Sequence, residues 1–172
     1  MRTLSPEKQA KELREKAGVR SVPVSVEKIA KFLGVEIRYV SLDDELSGMV
    51  FIKDATVFVA VNALHHPNRQ RFSIAHEIGH AVMHKSMLEG KVHVDKGIKV
   101  LMRSGISSTG TVNEEIQANR FAAELLMPKE AVLEILKDKI IDIDDDEPIE
   151  DLARKFKVSK RAMEHRISNI LE

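Results

Sequence analysis

Arg71-Phe72-Ser73-Ile74-Ala75-His76-Glu77-Ile78-Gly79-His80-Ala81-Val82-Met83-His84 is the stretch on which the fold of this chain turns. It follows Pro67 and Asn68, contains no proline, and carries apolar residues at Phe72, Ile74, Ala75, Ile78, Ala81 and Val82. That pattern predicts a helix with a broad apolar surface, hence a buried one. Residues four apart on a helix share a face. His76 and His80 can therefore aim two imidazoles at one metal ion. Glu77 stands about 100° further round the axis, where its carboxylate can reach a water beside the ion without ligating it. A chance match on a core helix would bury two histidines on an apolar face, and each would need a polar partner.

A catalytic zinc site takes three protein ligands and keeps one position for water. His84 cannot complete the set, because eight residues of helix carry it about 12 Å from His76 along the axis. Met83 and Ser86 occupy the places where an extended His-Glu-x-x-His motif would have Gly and His. The third ligand must come from another element. Asn113-Glu114-Glu115-Ile116-Gln117-Ala118-Asn119-Arg120-Phe121-Ala122-Ala123-Glu124-Leu125-Leu126-Met127-Pro128 reads as a second helix, entered through a capping box at Thr111-x-x-Glu114. Its expected packing face is Ile116, Phe121, Ala122, Leu125 and Leu126. Glu115 and Asn119 share a face, so Glu115 can bind the metal while Asn119 orients a ligand histidine. Glu114 competes for the role, but a first-turn acid also suits the helix N-terminus; the pairing with Asn119 favours Glu115.

Phe72-Ser-Ile-Ala-His-Glu-Ile-Gly-His80 followed by Glu115-x-x-Ala-Asn119-x-Phe-Ala-Ala-x-Leu-Leu-Met-Pro128 resembles the ImmA/IrrE family of metallo-endopeptidases, over most of the chain from about Val24 onward. The resemblance implies a zincin with a thermolysin-like core and one zinc ion per chain. It also implies a helix-turn-helix transcriptional repressor as the protein substrate, in a stress or regulatory setting.

The 172 residues suit one domain with a small appendage. Apolar residues make up 43% and charged residues 31%, an ordinary composition for a folded soluble chain. Lys+Arg and Asp+Glu are both 27, so no global charge favours nucleic acid or an acidic membrane. The absence of cysteine excludes disulfides and thiolate metal sites. Met1-Arg-Thr-Leu-Ser-Pro-Glu-Lys lacks an apolar leader, and no apolar run is long enough to span a membrane. The expected location is the cytoplasm.

The rest of the chain predicts an α+β fold: a helical zincin core, a small, mostly antiparallel three-stranded sheet and a C-terminal pair resembling a helix-turn-helix. Ser5-Pro6-Glu7 opens a charged first helix that stops at Gly18, and Ser25 to Gly34 frames a second. Residues 35–40, 47–52 and 56–61 read as strands, the last two joined by a hairpin at Lys53-Asp54-Ala55. A peptidase holds its substrate extended beside the metal, and strand addition at a sheet edge does this. Phe58-Val59-Ala60-Val61-Asn62 is the candidate edge. His65 and His66 precede Pro67 in an exposed loop rather than binding the metal. Residues 90–111 read as a long irregular loop able to cover the cleft. His93 within it, and Tyr39, are candidate donors to an oxyanion. His84 is expected to support the site or to cap the helix end as a cation.

Three units are expected: residues 1–140 as the metallopeptidase domain, 141–148 as an acidic linker and 149–172 as the helical pair. The run Asp142, Asp144, Asp146 lacks the glycine of a calcium loop. In the C-terminal pair, Arg154, Lys155, Lys157, Lys160, Arg161 and Arg166 can touch phosphate, while Leu152, Phe156, Val158, Met163 and Ile167 can pack on the core. Packing or partner docking is favoured over DNA binding. The leading expectation is a zinc metallo-endopeptidase with Glu77 as general base. The alternative is a metal-binding transcriptional regulator that acts through its C-terminal pair without cutting.

Overall fold

The computed structural model describes residues 4–88, 92–95, 109–137 and 147–172. The Gly/Ser-rich stretch 96–108 and most of the expected acidic linker lie outside these residues; Glu147 and Pro148 already belong to a helix.

Ser5 caps α1 (Pro6–Lys16), its hydroxyl accepting from the Lys8 amide, with proline in the first turn. Ser25 caps α2 (Val26–Leu33), which ends on Gly34 in the left-handed conformation at φ 69°. The alternating stretch after it forms β1 (Val35–Val40), followed by β2 (Gly48–Lys53) and β3 (Thr56–Asn62). Asp54 and Ala55 close the β2–β3 hairpin, both at positive φ. The chain continues through α3 (Pro67–Met83) and a single turn α4 (Lys85–Leu88) into a short strand β4 (Val92–Asp95). The remaining helices are α5 (Thr109–Leu126), α6 (Lys129–Leu136), α7 (Glu147–Phe156) and α8 (Lys160–Leu171).

The fold is α+β, and its sheet has four strands rather than the three expected, in the order β1-β3-β2-β4. β1 runs parallel to β3, while β2 pairs antiparallel with both β3 and β4. Four residues between two stretches outside the described chain carry too short an alternation to announce β4. The order also overturns the substrate-edge expectation. β3, with Phe58 to Asn62, lies inside the sheet, and its backbone groups are taken by β1 and β2. Asn62 is buried and structural: its Nδ2 donates to the carbonyls of Leu42, Asp43 and Leu46, and its Oδ1 accepts from the Leu42 and Leu64 amides.

α3 lies on the sheet with α5 packed across it. Eight consecutive residues of α3, Ser73 to His80, are buried, so this helix is covered all round over more than two turns. Gly79 permits the close approach of α5: a Cβ there would stand 3.1 Å from Phe121 Cδ1 and 3.4 Å from Ala118 Cα. Phe121, Ala122, Leu125 and Leu126 face inward as expected, whereas Ile116 is 44% exposed and leaves the expected packing face. α5 begins at Thr109, so Thr111 lies inside the helix rather than at its cap.

The C-terminal pair is continuous with the core. Leu152, Phe156, Val158, Met163 and Ile167 join the same buried cluster as Ile74, Ile78 and Leu125. Asn68 Nδ2 donates to the Val158 carbonyl, and Arg71 Nε to the Lys157 carbonyl. Arg166 is not a phosphate contact. It is buried, pairs with Glu124 and donates from Nε to the Met127 carbonyl at 2.9 Å. Arg154 pairs with Asp151, and Lys160 lies 3.5 Å from Glu150. Among the described residues, no helix is long and apolar enough to cross a membrane.

Candidate metal centre

His66 caps α3 by accepting the Asn68 amide on Nδ1, and Pro67 fills the first helical position. From that start the helix delivers His76 and His80 to one face and Glu77 to its neighbour, all three buried. α5 brings Glu115 across. Glu115 Oε2 lies 3.1 Å from His76 Nε2, and Oε1 lies 3.3 Å from His80 Nε2. His76 Nδ1 donates to Asn119 Oδ1 at 3.0 Å, which turns its Nε2 toward Glu115. The i, i+4 pairing read between Glu115 and Asn119 thus places one residue at the centre and the other behind the ring.

β4 contributes the side chain that the sequence reading placed differently. His93 Nε2 comes within 3.1 Å of Glu115 Oε1, without the alignment of a hydrogen bond, and its ring centroid is 4.0 Å from that of His80. His76, His80, His93 and Glu115 each offer a ligand atom, and these atoms lie within 4.8 Å of one another. The residue two further along β4 is Asp95, whose carboxylate groups in the same way with His76 and Glu77. The available signal was the alternation Val92-His93-Val94-Asp95, which sends His93 and Asp95 to one face. Their cross-strand partners Val50 and Gly48 identify that face: Val50 is fully buried, and a Cβ on Gly48 would point at Glu77.

The other expected positions are occupied differently. Tyr39 sits half-exposed on β1, at the opposite edge of the sheet from β4, in a cavity with Pro23, Glu27 and Arg71, and is not brought to the metal cluster. His65 is buried rather than exposed. Its Nε2 lies 3.2 Å from the Asp44 carbonyl, where it props the loop before β2. His66 is exposed. His84 follows α3 as its C-cap, with its ring centroid 5.6 Å from that of His80. Burial lowers its pKa and disfavours the cation expected at the helix end. Glu114 is half-buried and takes no part in the cluster.

Electrostatics separates the roles of the acids. Burial opposes ionisation of Glu115, yet the imidazoles of His76, His80 and His93 that face it hold its carboxyl well below the usual range. Burial likewise opposes a charge on His76, but the bond to Glu115 and the surrounding acids raise it to about 9. For His80, burial wins and lowers the pKa to about 4, leaving a neutral imidazole suited to ligation. Glu77 is fully buried, and neither carboxyl oxygen has a hydrogen-bond partner among the described residues. Burial raises its pKa well above the ordinary value, and the nearby acids Asp95 and Glu115 add to the shift.

The donor set fits a metal ion. Three imidazole nitrogens and one carboxylate oxygen are the kinds of ligand zinc takes. His76 Nε2 and His80 Nε2 lie 3.1 Å apart, a spacing that places two lone pairs on one point unless a proton or cation intervenes. The model of the IrrE N-terminal-like domain, Peptidase_M78, matches residues 30–168. The chain belongs to this family. The IrrE-like match covers α3, α5, α7 and most of α8, so the metal cluster and the helices beyond it fall in one family unit. A solved Mycobacterium tuberculosis transcriptional regulator superposes on 95% of this IrrE-like chain with a TM-score of 0.62 and 19% identity. At that identity the likeness shows the fold, and the chain spans 46% of the regulator's length. No curated protein matches the chain.

Proposed function

We propose that this chain is a zinc metallo-endopeptidase that hydrolyses a peptide bond of a protein substrate, a helix-turn-helix repressor, in the cytoplasm. The observation that carries the reading is the Glu77 carboxyl, buried without a hydrogen-bond partner among the described residues, beside three histidines and a second carboxylate. An unpaired buried acid is costly and has no purpose in a purely structural metal site.

His76, His80 and Glu115 would hold the zinc ion, and Asn119 would fix the tautomer of His76. When bound, zinc supplies Lewis acidity to a water and to the scissile carbonyl. Glu77 takes the proton from the attacking water, for which its raised proton affinity suits it, and passes that proton to the leaving amine. Asp95 keeps that affinity high by opposing a negative charge on Glu77. The sheet edge beside the cluster is β4, where an extended substrate can add as a strand. A repressor substrate is supported by the family resemblance and by a structural neighbour that is itself a transcriptional regulator. Lys155, Lys157 and Arg161 remain exposed on the C-terminal pair for docking a partner.

Incubating the zinc-loaded chain with candidate repressors should yield fragments on a gel, and a chelator should prevent them. An intact repressor under every condition would remove the reading. The second reading, a metal-binding regulator that does not cut, is favoured by one feature: His93 supplies a fourth donor where a peptidase needs an open position.

Gly48 offers a local check on Glu77. A Cβ at Gly48 would stand 3.2 Å from Glu77 Oε1 and 3.2 Å from the Ala60 carbonyl oxygen. The carbonyl is fixed in the sheet, so the carboxylate is the group that shifts. Gly48→Ala is expected to slow cleavage at least about tenfold, a fraction of what a general base contributes, while metal content stays that of wild type. Unaltered cleavage would mean that the carboxylate position is not critical.

A further inference from the structure

We infer that His93 is a displaceable fourth ligand, so that the enzyme rests in a closed, latent state and opens when β4 withdraws this side chain. The inference concerns regulation of the site proposed above and rests on the peptidase reading for its consequence, though not for its geometry.

The geometry is that of four donors converging on one point. Ligand atoms about 2.0–2.1 Å from one zinc ion, at the corners of a tetrahedron, stand roughly 3.3–3.4 Å apart. The separations between Glu115 and the Nε2 atoms of His76, His80 and His93 are 3.1, 3.3 and 3.1 Å. His76 Nε2 and His80 Nε2 are 3.1 Å apart. Oε2 of Glu115 faces His76 while Oε1 faces His80 and His93, and one ligand atom from each of the four residues lies within 4.8 Å of the others, so His93 stands among the donors rather than behind them. An oxyanion donor would stand off the ligand set by the width of a substrate atom, whereas His93 touches Glu115 itself. Its side chain is 19% exposed, and its Nε2 is buried with no aligned hydrogen-bond partner among the described residues. Four protein ligands are the mark of a closed zinc site, while catalysis needs one position free.

Glu77 argues that the closure is temporary, since a permanently filled shell leaves that acid with nothing to act on. The placement of His93 makes release feasible. His76, His80 and Glu115 sit on long helices that cross in the core, but His93 sits on a strand of four residues that, among the described residues, is at the sheet edge and pairs only to β2. Because side chains alternate along a strand, a shift of one residue would turn His93 out of the site. A substrate strand adding to the outer edge of β4 could drive that shift.

The first test uses wild type, whose folding is not in question. Zinc-loaded protein carrying 15N-labelled histidine is expected to show three metal-bound Nε2 atoms by long-range 15N–1H spectroscopy: His76, His80 and His93. Two, with His93 free, would overturn the inference and leave the peptidase reading standing. The second test compares wild type with His93→Ala, each loaded with cobalt or zinc. The variant should lose at least about tenfold in zinc affinity, the lower end of what supporting residues cost. Its cobalt spectrum should change and respond to azide, as wild type does not. Identical affinity and spectra would again overturn the ligand. On unfolded casein the variant should cut several-fold faster than wild type. Slower cutting would make His93 a participant rather than a latch. Three metal-bound histidines with no cleavage by either protein would overturn the latch and the peptidase reading together.

Discussion

Replacing Glu77 by Gln is expected to leave a protein that binds metal as wild type does and cleaves at least about a thousand-fold more slowly, within the range contributed by general acid–base catalysis. Gln keeps the volume of the buried side chain and removes only the ability to accept and return a proton. The substitution should be gentle to the fold, because the carboxyl oxygens form no hydrogen bond among the described residues whose loss would be felt. Burial and the neighbouring acids raise the proton affinity of Glu77 in the metal-free protein, and the positive charge of a bound dication would favour the carboxylate that a general base needs. Removing an ionisable group with such a raised pKa therefore costs little stability, within about 1 kcal/mol. Metal content by mass spectrometry, thermal unfolding and a cleavage time course on the same preparation decide the matter. Retained cleavage would remove Glu77 from the chemistry whatever the metal does.

Glu115→Ala is expected to abolish metal binding, with an affinity loss of at least about a hundred-fold, at the upper end of what even supporting residues around a metal cost. Glu115 lies within 3.3 Å of all three histidines of the cluster. Without it, three imidazoles face one another with nothing to bring a dication among them. The measurable consequence reaches stability. Zinc at a thousand times its dissociation constant stabilises a folded site by about 4 kcal/mol, which for a chain of this size moves the melting temperature by roughly 8–16 °C. Wild type should show that rise on zinc addition and Glu115→Ala should not. Glu114→Ala is the matched control, one residue away and outside the cluster, and should keep both metal and shift. A zinc-dependent rise preserved in Glu115→Ala and lost in Glu114→Ala would reverse the assignment.

The C-terminal pair shows how composition can mislead about partners. Read along the chain, Arg166 belongs to a basic set poised for phosphate. In the fold it is buried against Glu124 and the Met127 carbonyl, joining α8 to the end of α5. A cation on a helix declares its charge in the sequence but not which side of the helix the core will claim. Arg161, Ala162 and Ser159 of the same pair line an apolar cavity of about 650 Å³ that also reaches Phe72, Asn119 and Met127. The pair therefore adjoins α3 and α5 near the residue that orients His76.

What this sequence determined by itself is what depends on short, regular spacing. The i, i+4 repeat of a helix put His76 and His80 on one face and Glu77 beside them. The same repeat paired Glu115 with Asn119 and ranked Glu115 above Glu114. Serine caps and a left-handed glycine set the ends of α1 and α2. Tertiary structure alone decided everything that required two elements to meet. β3 reads like any other strand, yet it lies inside the sheet because both β1 and β2 pair with it, and pairing order leaves no mark on a single strand. His93 looked like a residue of an irregular loop. A four-residue strand is too short for its alternation to stand out, and only its pairing with β2 turns that side chain onto Glu115. Local periodicity is written residue by residue, whereas the closed ring of four donors exists only where a strand and two helices converge.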